Sequence, residues 1–321
     1  MNDSAAILDV RHLRTSFNVN GRDHQAVRDV TFSIHSGKVL GLIGESGSGK
    51  TVTGMSILRM LPPHAKCEAS SLKFRGQDLT TLSKSEFRDL RGVALAMIFQ
   101  DPVGSFNPAK TIGWHLRQAI SRRGEVRHWQ EKARSLLTDV GIRTHDRVLT
   151  SYAHQLSGGM LQRVLIAMVI GLEPTLIVAD EPTTNLDNLV ERQILDLLRV
   201  HQKRIGASVL FITHDLLIAG EICDRIAVMY AGEIVEIGPA AEILERPLHP
   251  YSAALRATSE SLERRDEYLY ELPGEPGATA EAQSCQFAAR CPKVMAQCRS
   301  ALPQLVEVTP GHQVRCFLHG S

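Results

Sequence analysis

The sequence predicts an α/β fold with a largely parallel core sheet, and three observations carry that prediction. Short continuous apolar runs recur along the chain, stretches with helical spacing lie between them, and a glycine-rich loop follows the first run. Alternating strands and helices build layered α/β domains. Strands that are apolar at every position suit a sheet covered on both faces. The 321 residues are ample for a hydrophobic core without staples. By the usual domain size of roughly 150 residues they amount to about two domains.

Taken in order, strands are expected at 39–43, 95–99, 176–179, 209–213 and 226–230. After Gln100 the strand signal fades. Leu116, Ile120, Leu136, Leu137 and Val140 instead recur at helical spacing within 114–140, which predicts a helical insertion at about 101–160. A further helix is expected over 160–172. Beyond Arg246, the breakers Pro247, Pro250, Pro273, Gly274, Pro276 and Gly277 and a charged run at 260–271 mark a linker to a small C-terminal module. The expected division is therefore a main domain at 1–259, a linker at 260–280 and a cysteine-bearing module at 281–321.

Composition narrows the function classes. An apolar fraction of 43% with 22% charged residues excludes disorder as the main state. Thirty-six basic residues against 35 acidic ones leave a net charge of +1, so no overall charge points to a nucleic-acid partner. The longest apolar stretches, 93–99 and 164–172, fall short of the ~18 residues a bilayer-spanning helix needs. The opening Met1-Asn2-Asp3-Ser4 has an early acid and no apolar run of signal-peptide length behind it, so a cytoplasmic protein is expected.

The strongest chemical signal is Gly44-Glu45-Ser46-Gly47-Ser48-Gly49-Lys50-Thr51, directly after the first strand. Glycines let the backbone turn so that successive N–H groups face a phosphate. Lys50 is expected to reach the β- and γ-phosphates, and Thr51 to offer its hydroxyl to Mg²⁺ at the start of a helix. The strand 176–179 ends in Asp180-Glu181, which places carboxylates at the carboxyl end of the sheet. Asp180 is expected to hold Mg²⁺, and Glu181 to polarise a water for attack on the γ-phosphate. An isolated Asp-Glu pair reads as a solvated turn; the phosphate loop gives it a catalytic reading. Gln100 and His214 each follow a strand and should reach the same sheet edge. Leu156-Ser157-Gly158-Gly159 opens the helix at 160–172 as a second glycine-flanked N-terminus able to meet a phosphate.

Cys67 and Cys223 stand alone, whereas Cys285, Cys291, Cys298 and Cys316 crowd the C-terminal module. Disulfides are not expected in a cytoplasmic protein, so the four read as a metal site. Their Cys-x5-Cys-x6-Cys-x17-Cys spacing matches neither a short zinc finger nor the ferredoxin patterns. An iron–sulfur cluster, zinc and four reduced thiols all stay open on this reading.

These motifs, in this order, resemble the nucleotide-binding subunit of an ATP-binding-cassette (ABC) transporter: the phosphate loop, Gln100, the Leu156-Ser157-Gly158-Gly159 signature, Asp180-Glu181, the loop Asn185-Leu186-Asp187 and His214. The resemblance implies a P-loop ATPase domain with a helical insertion subdomain, and an adenine-stacking aromatic near Phe17. It also implies one ATP held between the phosphate loop of one subunit and Ser157, Gly158 and Gly159 of another, with Asp187 nearby. Met97-Ile98-Phe99-Gln100-Asp101-Pro102, Phe106-Asn107-Pro108, Leu248-His249-Pro250-Tyr251 and Pro273-Gly274-Glu275-Pro276 are similar to the oligopeptide, dipeptide and nickel importers. So is the four-cysteine extension with Phe287, Arg290-Cys291-Pro292 and Pro303.

What the resemblance implies is a peripheral ATPase on the cytoplasmic face of the inner membrane that drives uptake of di- or oligopeptides or a related small solute. Its implied partners are two transmembrane permeases, a distinct sister ATPase and an extracytoplasmic solute-binding protein. Its implied cofactors are ATP, Mg²⁺ (on Thr51, Gln100 and Asp180) and a [4Fe–4S] cluster on the four cysteines. Thr51 stands where the family usually has Ser, Asn185 and Asn188 where Ala and Val are commoner, and Leu161 where a basic residue is usual. Met160-Leu161-Gln162-Arg163 resembles nickel-type members, so a nickel or metal-chelate importer is the alternative. A soluble, non-transport ABC ATPase is a further one.

Overall fold

The computed structural model describes residues 6–19, 21–124, 127–184, 186, 188–264, 274 and 283–320. Two compact units divide the chain: Met1–Thr80 with Leu210–Ser321, and Thr81–Val209.

The first unit opens on a ribbon that the apolar runs did not announce. β1 (Ala6–Val19) and β2 (Arg22–His35) pair antiparallel along their lengths, from Ala6 opposite His35 to Val19 opposite Arg22. Val30, Phe32 and Ile34 alternate with less buried neighbours, the period-2 pattern of a half-buried strand. The register slips between Val10 and Leu13, where His12 takes φ +49°. β3 (Val39–Ile43), buried at every position, leads through a loop to α1 (Lys50–Ile57). β4 (Ala65–Glu68) and β5 (Ser71–Phe74) both pair antiparallel with β1, and the two-residue β6 (Gln77–Asp78) closes on β5.

The second unit starts with α2 (Lys84–Leu90), which carries a reciprocal cap: Ser83 Oγ accepts from the Glu86 N–H and Glu86 from the Ser83 N–H. β7 (Leu95–Ile98) then runs into the predicted helical insertion. The helical stretch 114–140 is two helices, α3 (Ile112–Ser121) and α4 (Trp129–Asp139); Gly124 at φ +84° lies in the break. Together with α5 (His145–Thr150) they pack on one another, and α3 and α4 on α6 (Gly158–Gly171), burying Leu116, Ile120, Leu136, Leu137 and Val148. β8 (Leu176–Asp180) lies parallel to β7, with Leu95 opposite Leu176 and Ile98 opposite Ala179. α7 (Asn188–Ile205) follows.

β9 (Ser208–Thr213) carries the chain back to the first unit. There α8 (Leu216–Ile222) is capped by Asp215, which accepts from the N–H groups of Leu217 and Ile218. β10 (Arg225–Tyr230) pairs parallel to β3 and antiparallel to β11 (Glu233–Pro239). After α9 (Ala240–Glu245) and α10 (Pro250–Arg264), the hairpin β12 (Leu305–Thr309) and β13 (His312–Arg315) adds to β11. Among the described residues no helix is long and apolar enough to cross a membrane.

One buried carboxylate fastens this last segment. Glu236 on β11, fully buried, accepts from His312 Nε2 at 2.8 Å and from the Leu248 and His249 N–H groups at 2.8 and 2.9 Å. Burial pushes His249 down to about 4, so its neutral Nδ1 accepts from the Tyr251 N–H. Burial alone would raise the Glu236 carboxyl; its interactions with His312, the Leu248 N–H, Ser252 and the His249 N–H together more than reverse that. The same bond lifts His312 above the ordinary imidazole value. The Glu236 contribution is thus present above the unfolded carboxyl pKa of ~4.3 and lost as pH falls. That of His312 is present below the unfolded imidazole pKa of ~6.5 and lost as pH rises through its folded value. Glu236→Ala should destabilise the fold by about 3–5 kcal/mol in urea unfolding. The stability difference between the wild type and His312→Gln should be largest near pH ~6 and shrink by pH ~9; a difference constant across that range would assign the effect to packing.

Candidate functional site

The first unit builds the glycine-rich loop between β3 and α1. Gly49 caps α1 at φ +104°, and a Cβ there would stand 2.4 Å from the Ala26 carbonyl oxygen. A Cβ on Gly44 would stand 2.2 Å from the Met229 carbonyl oxygen. Only glycine fits either position. Gly47 also takes a positive φ, at +80°. Lys50, 4% exposed, folds back so that Nζ donates to the carbonyls of Gly44 and Glu45 at 2.7 and 2.9 Å. The Ser48 hydroxyl is buried with no hydrogen-bond partner among the described residues. Ser46 lies in the same turn, and Thr51 is exposed on the first turn of α1. A buried ammonium, an orphaned hydroxyl and a helix N-terminus fit a phosphate-bearing anion.

Two further predicted residues belong to this unit. Phe17, partly buried on β1, faces His24 of β2 and Ala65 of β4, with its ring tilted 60° against His64 at 6.2 Å. His214 is exposed immediately after β9, one residue before the cap of α8.

The second unit brings Gln100 and Glu181 together. Parallel pairing puts both just past the carboxyl ends of β7 and β8. Gln100 Nε2 donates to Glu181 Oε2 at 3.2 Å, and Thr184 Oγ1 donates to the same oxygen at 2.8 Å. Glu181 takes φ +42°, a conformation a non-glycine residue holds only when its surroundings enforce it. Asp180 is 2% exposed at the end of β8. Ser157 caps α6, accepting from the Met160 N–H, and Gly158 and Gly159 form its first turn. Gln162 on α6 donates to the Pro182 carbonyl at 2.7 Å, tying that helix to the turn that holds Glu181. Asp187 lies outside the described residues.

Sequence reasoning assigned no role to the groups that grip Glu45. Arg290 donates from Nη1 and Nη2 to the two Glu45 carboxylate oxygens at 2.8 and 3.1 Å, and the Glu45 N–H donates to Tyr251 Oη at 2.9 Å. Burial disfavours the Arg290 charge, but Glu45 and Tyr230 more than offset it and hold the guanidinium ionised. Arg290 and Tyr251 lie in segments noted in the sequence, yet no local pattern couples them to a loop some two hundred residues earlier.

The four C-terminal cysteines fall in one segment. The Cys285 N–H donates to the Cys298 carbonyl at 2.9 Å. Burial pushes the Cys285 thiol up to about 11, and Cys298, Cys316 and Cys291 add to the rise. Burial likewise raises Cys291 and Cys316, with Cys298 adding to both. No three His, Cys, Asp or Glu among the described residues are placed to hold a metal ion, so the metal site expected from the cysteines is not found as a formed geometry. Cys67 is exposed, and Cys223 is buried against Gly41.

Comparison with known proteins gives a consistent result. Residues 27–184 match the ABC transporter family, and residues 235–298 match the oligopeptide/dipeptide transporter C-terminal region. That second match includes Cys285, Cys291 and Cys298 but ends before Cys316. The chain is 42% identical over 316 residues to a probable peptide ABC transporter ATP-binding protein, y4tR, of Sinorhizobium fredii, covering 97% of this chain and 94% of that one. It is 40% identical to the dipeptide transport ATP-binding proteins DppD of Bacillus subtilis and Escherichia coli, covering 97% of this chain and 94% and 96% of theirs. Among solved structures, the ATP-binding cassette MJ0796 bound to ADP and phosphate superposes with a TM-score of 0.65 at 23% identity, covering 73% of this chain and 98% of that one. CbiO1 of Clostridium perfringens superposes with a TM-score of 0.61 at 24% identity, covering 81% and 99%. At those identities the structures establish the cassette fold alone.

Proposed function

This chain belongs to the ABC transporter family, among the ATP-binding subunits of peptide and dipeptide importers, and from that premise we propose how its residues drive ATP-dependent peptide uptake. The observation that carries the nucleotide reading is the loop 44–51, where a buried lysine and an orphaned serine hydroxyl accompany Gly44 and Gly49, two positions with no room for a Cβ. Lys50 and the N–H groups of Gly47, Ser48 and Gly49 bind the phosphates, with Phe17 against the adenine. Thr51, Gln100 and Asp180 are the residues that would hold magnesium, which would supply positive charge to the phosphate oxygens.

Glu181 is the base that orients and polarises the attacking water, and Gln100 and Thr184 fix its carboxylate. His214 senses the γ-phosphate, and Asp187 takes part in nucleotide binding. Ser157, Gly158 and Gly159 offer the α6 N-terminus to the ATP of a partner ATPase, so a single chain does not complete its own site. ATP then closes the pair and hydrolysis reopens it, a two-state switch that two permeases convert into transport. A distinct sister ATPase and an extracytoplasmic solute-binding protein complete the importer, with this chain peripheral on the cytoplasmic face. We divide it into an ATPase domain at 1–259 with a helical insertion at about 101–160, a linker at 260–280 and a cysteine module at 281–321.

For the module, a [4Fe–4S] cluster on Cys285, Cys291, Cys298 and Cys316 is the reading we adopt. Its support is donor chemistry: four soft thiols in one segment, of which burial and then the neighbouring thiols make Cys285, Cys291 and Cys316 harder to ionise until a cation joins them.

Glu181→Gln, in the assembled complex, should keep Mg-ATP binding and lose about 100-fold or more in steady-state hydrolysis. Unchanged turnover would remove Glu181 from the role of base. Capture of the tagged chain from gently solubilised native membranes should recover two multi-span permeases and a sister ATPase; recovery of ribosomal or repair proteins instead would refute transport. An anaerobic preparation should be brown with about four irons per chain. Colourless protein with stoichiometric zinc would overturn the cluster.

A further inference from the structure

The second residue of the phosphate loop carries a negative charge. Glu45 lies between Gly44 and Ser46, in the turn that receives a polyanion, and an unpaired carboxylate there would repel the nucleotide it helps to surround. The structure pairs it. Arg290 is 3% exposed at its side chain and meets Glu45, itself 24% exposed, in a two-pronged fork spanning 245 residues of sequence.

The arginine has little freedom to be elsewhere. Its guanidinium carbon lies 5.8 Å from the centre of the Tyr230 ring, and Tyr230 packs edge-on to Phe287 and Tyr251 at 5.1 and 4.8 Å. All three rings are at most 2% exposed. The Arg290 N–H donates to the Phe287 carbonyl, and the Ala288 N–H to that of Cys285, so two overlapping tight turns link the arginine to Cys285. Tyr251, from the same ring cluster, receives the Glu45 N–H. The backbone and the side chain of Glu45 are therefore both held from the C-terminal part of the chain.

We propose that Arg290 is a positioning residue for nucleotide binding: the C-terminal module uses it to neutralise Glu45 and to hold that carboxylate outward from the phosphate cradle. The proposal rests on the reading of 44–51 as the phosphate loop. It gives the module a direct action on the nucleotide site, independent of what the cysteines bind. Losing the arginine should expose the nucleotide to an uncompensated carboxylate, and losing the carboxylate as well should remove the problem.

The test measures Mg-ADP affinity of the full-length chain by calorimetry, for the wild type, Arg290→Gln, Arg290→Lys, Glu45→Gln and the double variant Glu45→Gln/Arg290→Gln. Arg290→Gln should weaken binding about tenfold, and that loss should shrink as salt rises from about 0.05 to about 0.5 M. Arg290→Lys, which keeps the charge but not the fork, should fall between Arg290→Gln and the wild type. The double variant should regain most of the loss, and Glu45→Gln alone should bind no more weakly than the wild type. A purely structural arginine would not be rescued by removing its partner's charge. Affinity unchanged in Arg290→Gln, or a double variant as weak as Arg290→Gln, overturns the proposal. If Arg290→Gln does not fold, Glu45→Gln decides: binding about tenfold weaker than the wild type overturns the proposal, and equal or tighter binding supports it. A wild type that binds no Mg-ADP overturns the nucleotide reading itself, which separates the two failures.

Discussion

The first unit is organised by the close approach of the loop 44–49 to the backbone around it. Gly44 leaves no room for a Cβ before the Met229 carbonyl, and Gly49 none before that of Ala26. The Ser48 carbonyl accepts from the Gly232 N–H at 2.9 Å, and the Gly232 carbonyl from that of Arg28 at 2.8 Å. The loop is thus wedged between β2 and the β10–β11 turn, where Ala231 and Gly232 both take positive φ. A loop so held presents its N–H groups without first losing conformational freedom, the usual cost of binding an anion with flexible backbone. The parallel pairing of β3 with β10 and the hairpin return of β11 are what bring these three backbones together.

Three charges buried or partly buried in the same unit are each answered by a specific partner. Glu236 is met by His312 and two N–H groups, Arg290 by Glu45, and Lys50 by two loop carbonyls. Each partner comes from a distant or differently structured segment, and removing one member would strand the other in a poorly solvated place. In the cases of Glu236 and Glu45 the distant partner lies in the last forty residues. The C-terminal segment is therefore held by specific pairing as well as by the sheet edge of β11, and it returns that constraint to the loop.

Much of this could be read from the chain, for identifiable reasons. Strands buried on both faces betray themselves as unbroken apolar runs, so β3, β7, β8, β9 and β10 appear within a residue of their expected bounds. β1 and β2 did not: their outward positions are polar and charged, and the register slip around His12 breaks the alternation. The places of Lys50 at a helix start and of Glu181 at a strand end were legible because short motifs carry them. The left-handed backbone of Glu181 was not, since glutamate is not among the residue types (Gly, and to a lesser degree Asn, Asp and His) that signal it. Thr184 was missed as an ordinary turn residue, although its hydroxyl reaches the Glu181 carboxylate. The Arg290–Glu45 fork was invisible because sequence motifs encode neighbours, whereas this contact is a product of the completed fold.

That fork has a thermodynamic consequence that runs in both directions. If the C-terminal turn raises nucleotide affinity by holding Glu45, bound nucleotide must stabilise that turn by the same free energy. A tenfold effect is about 1.4 kcal/mol, small beside the whole fold yet large for one segment attached through a hairpin and a few buried pairs. The turn lies in the same segment as the four cysteines. By that linkage, chemistry that orders or loosens those cysteines would adjust the affinity of the loop, and nucleotide leaving the loop would lower the cost of disturbing them. On that proposal, nucleotide occupancy and the order of the C-terminal segment would form a single linked equilibrium in one chain, joined through Glu45 and Arg290.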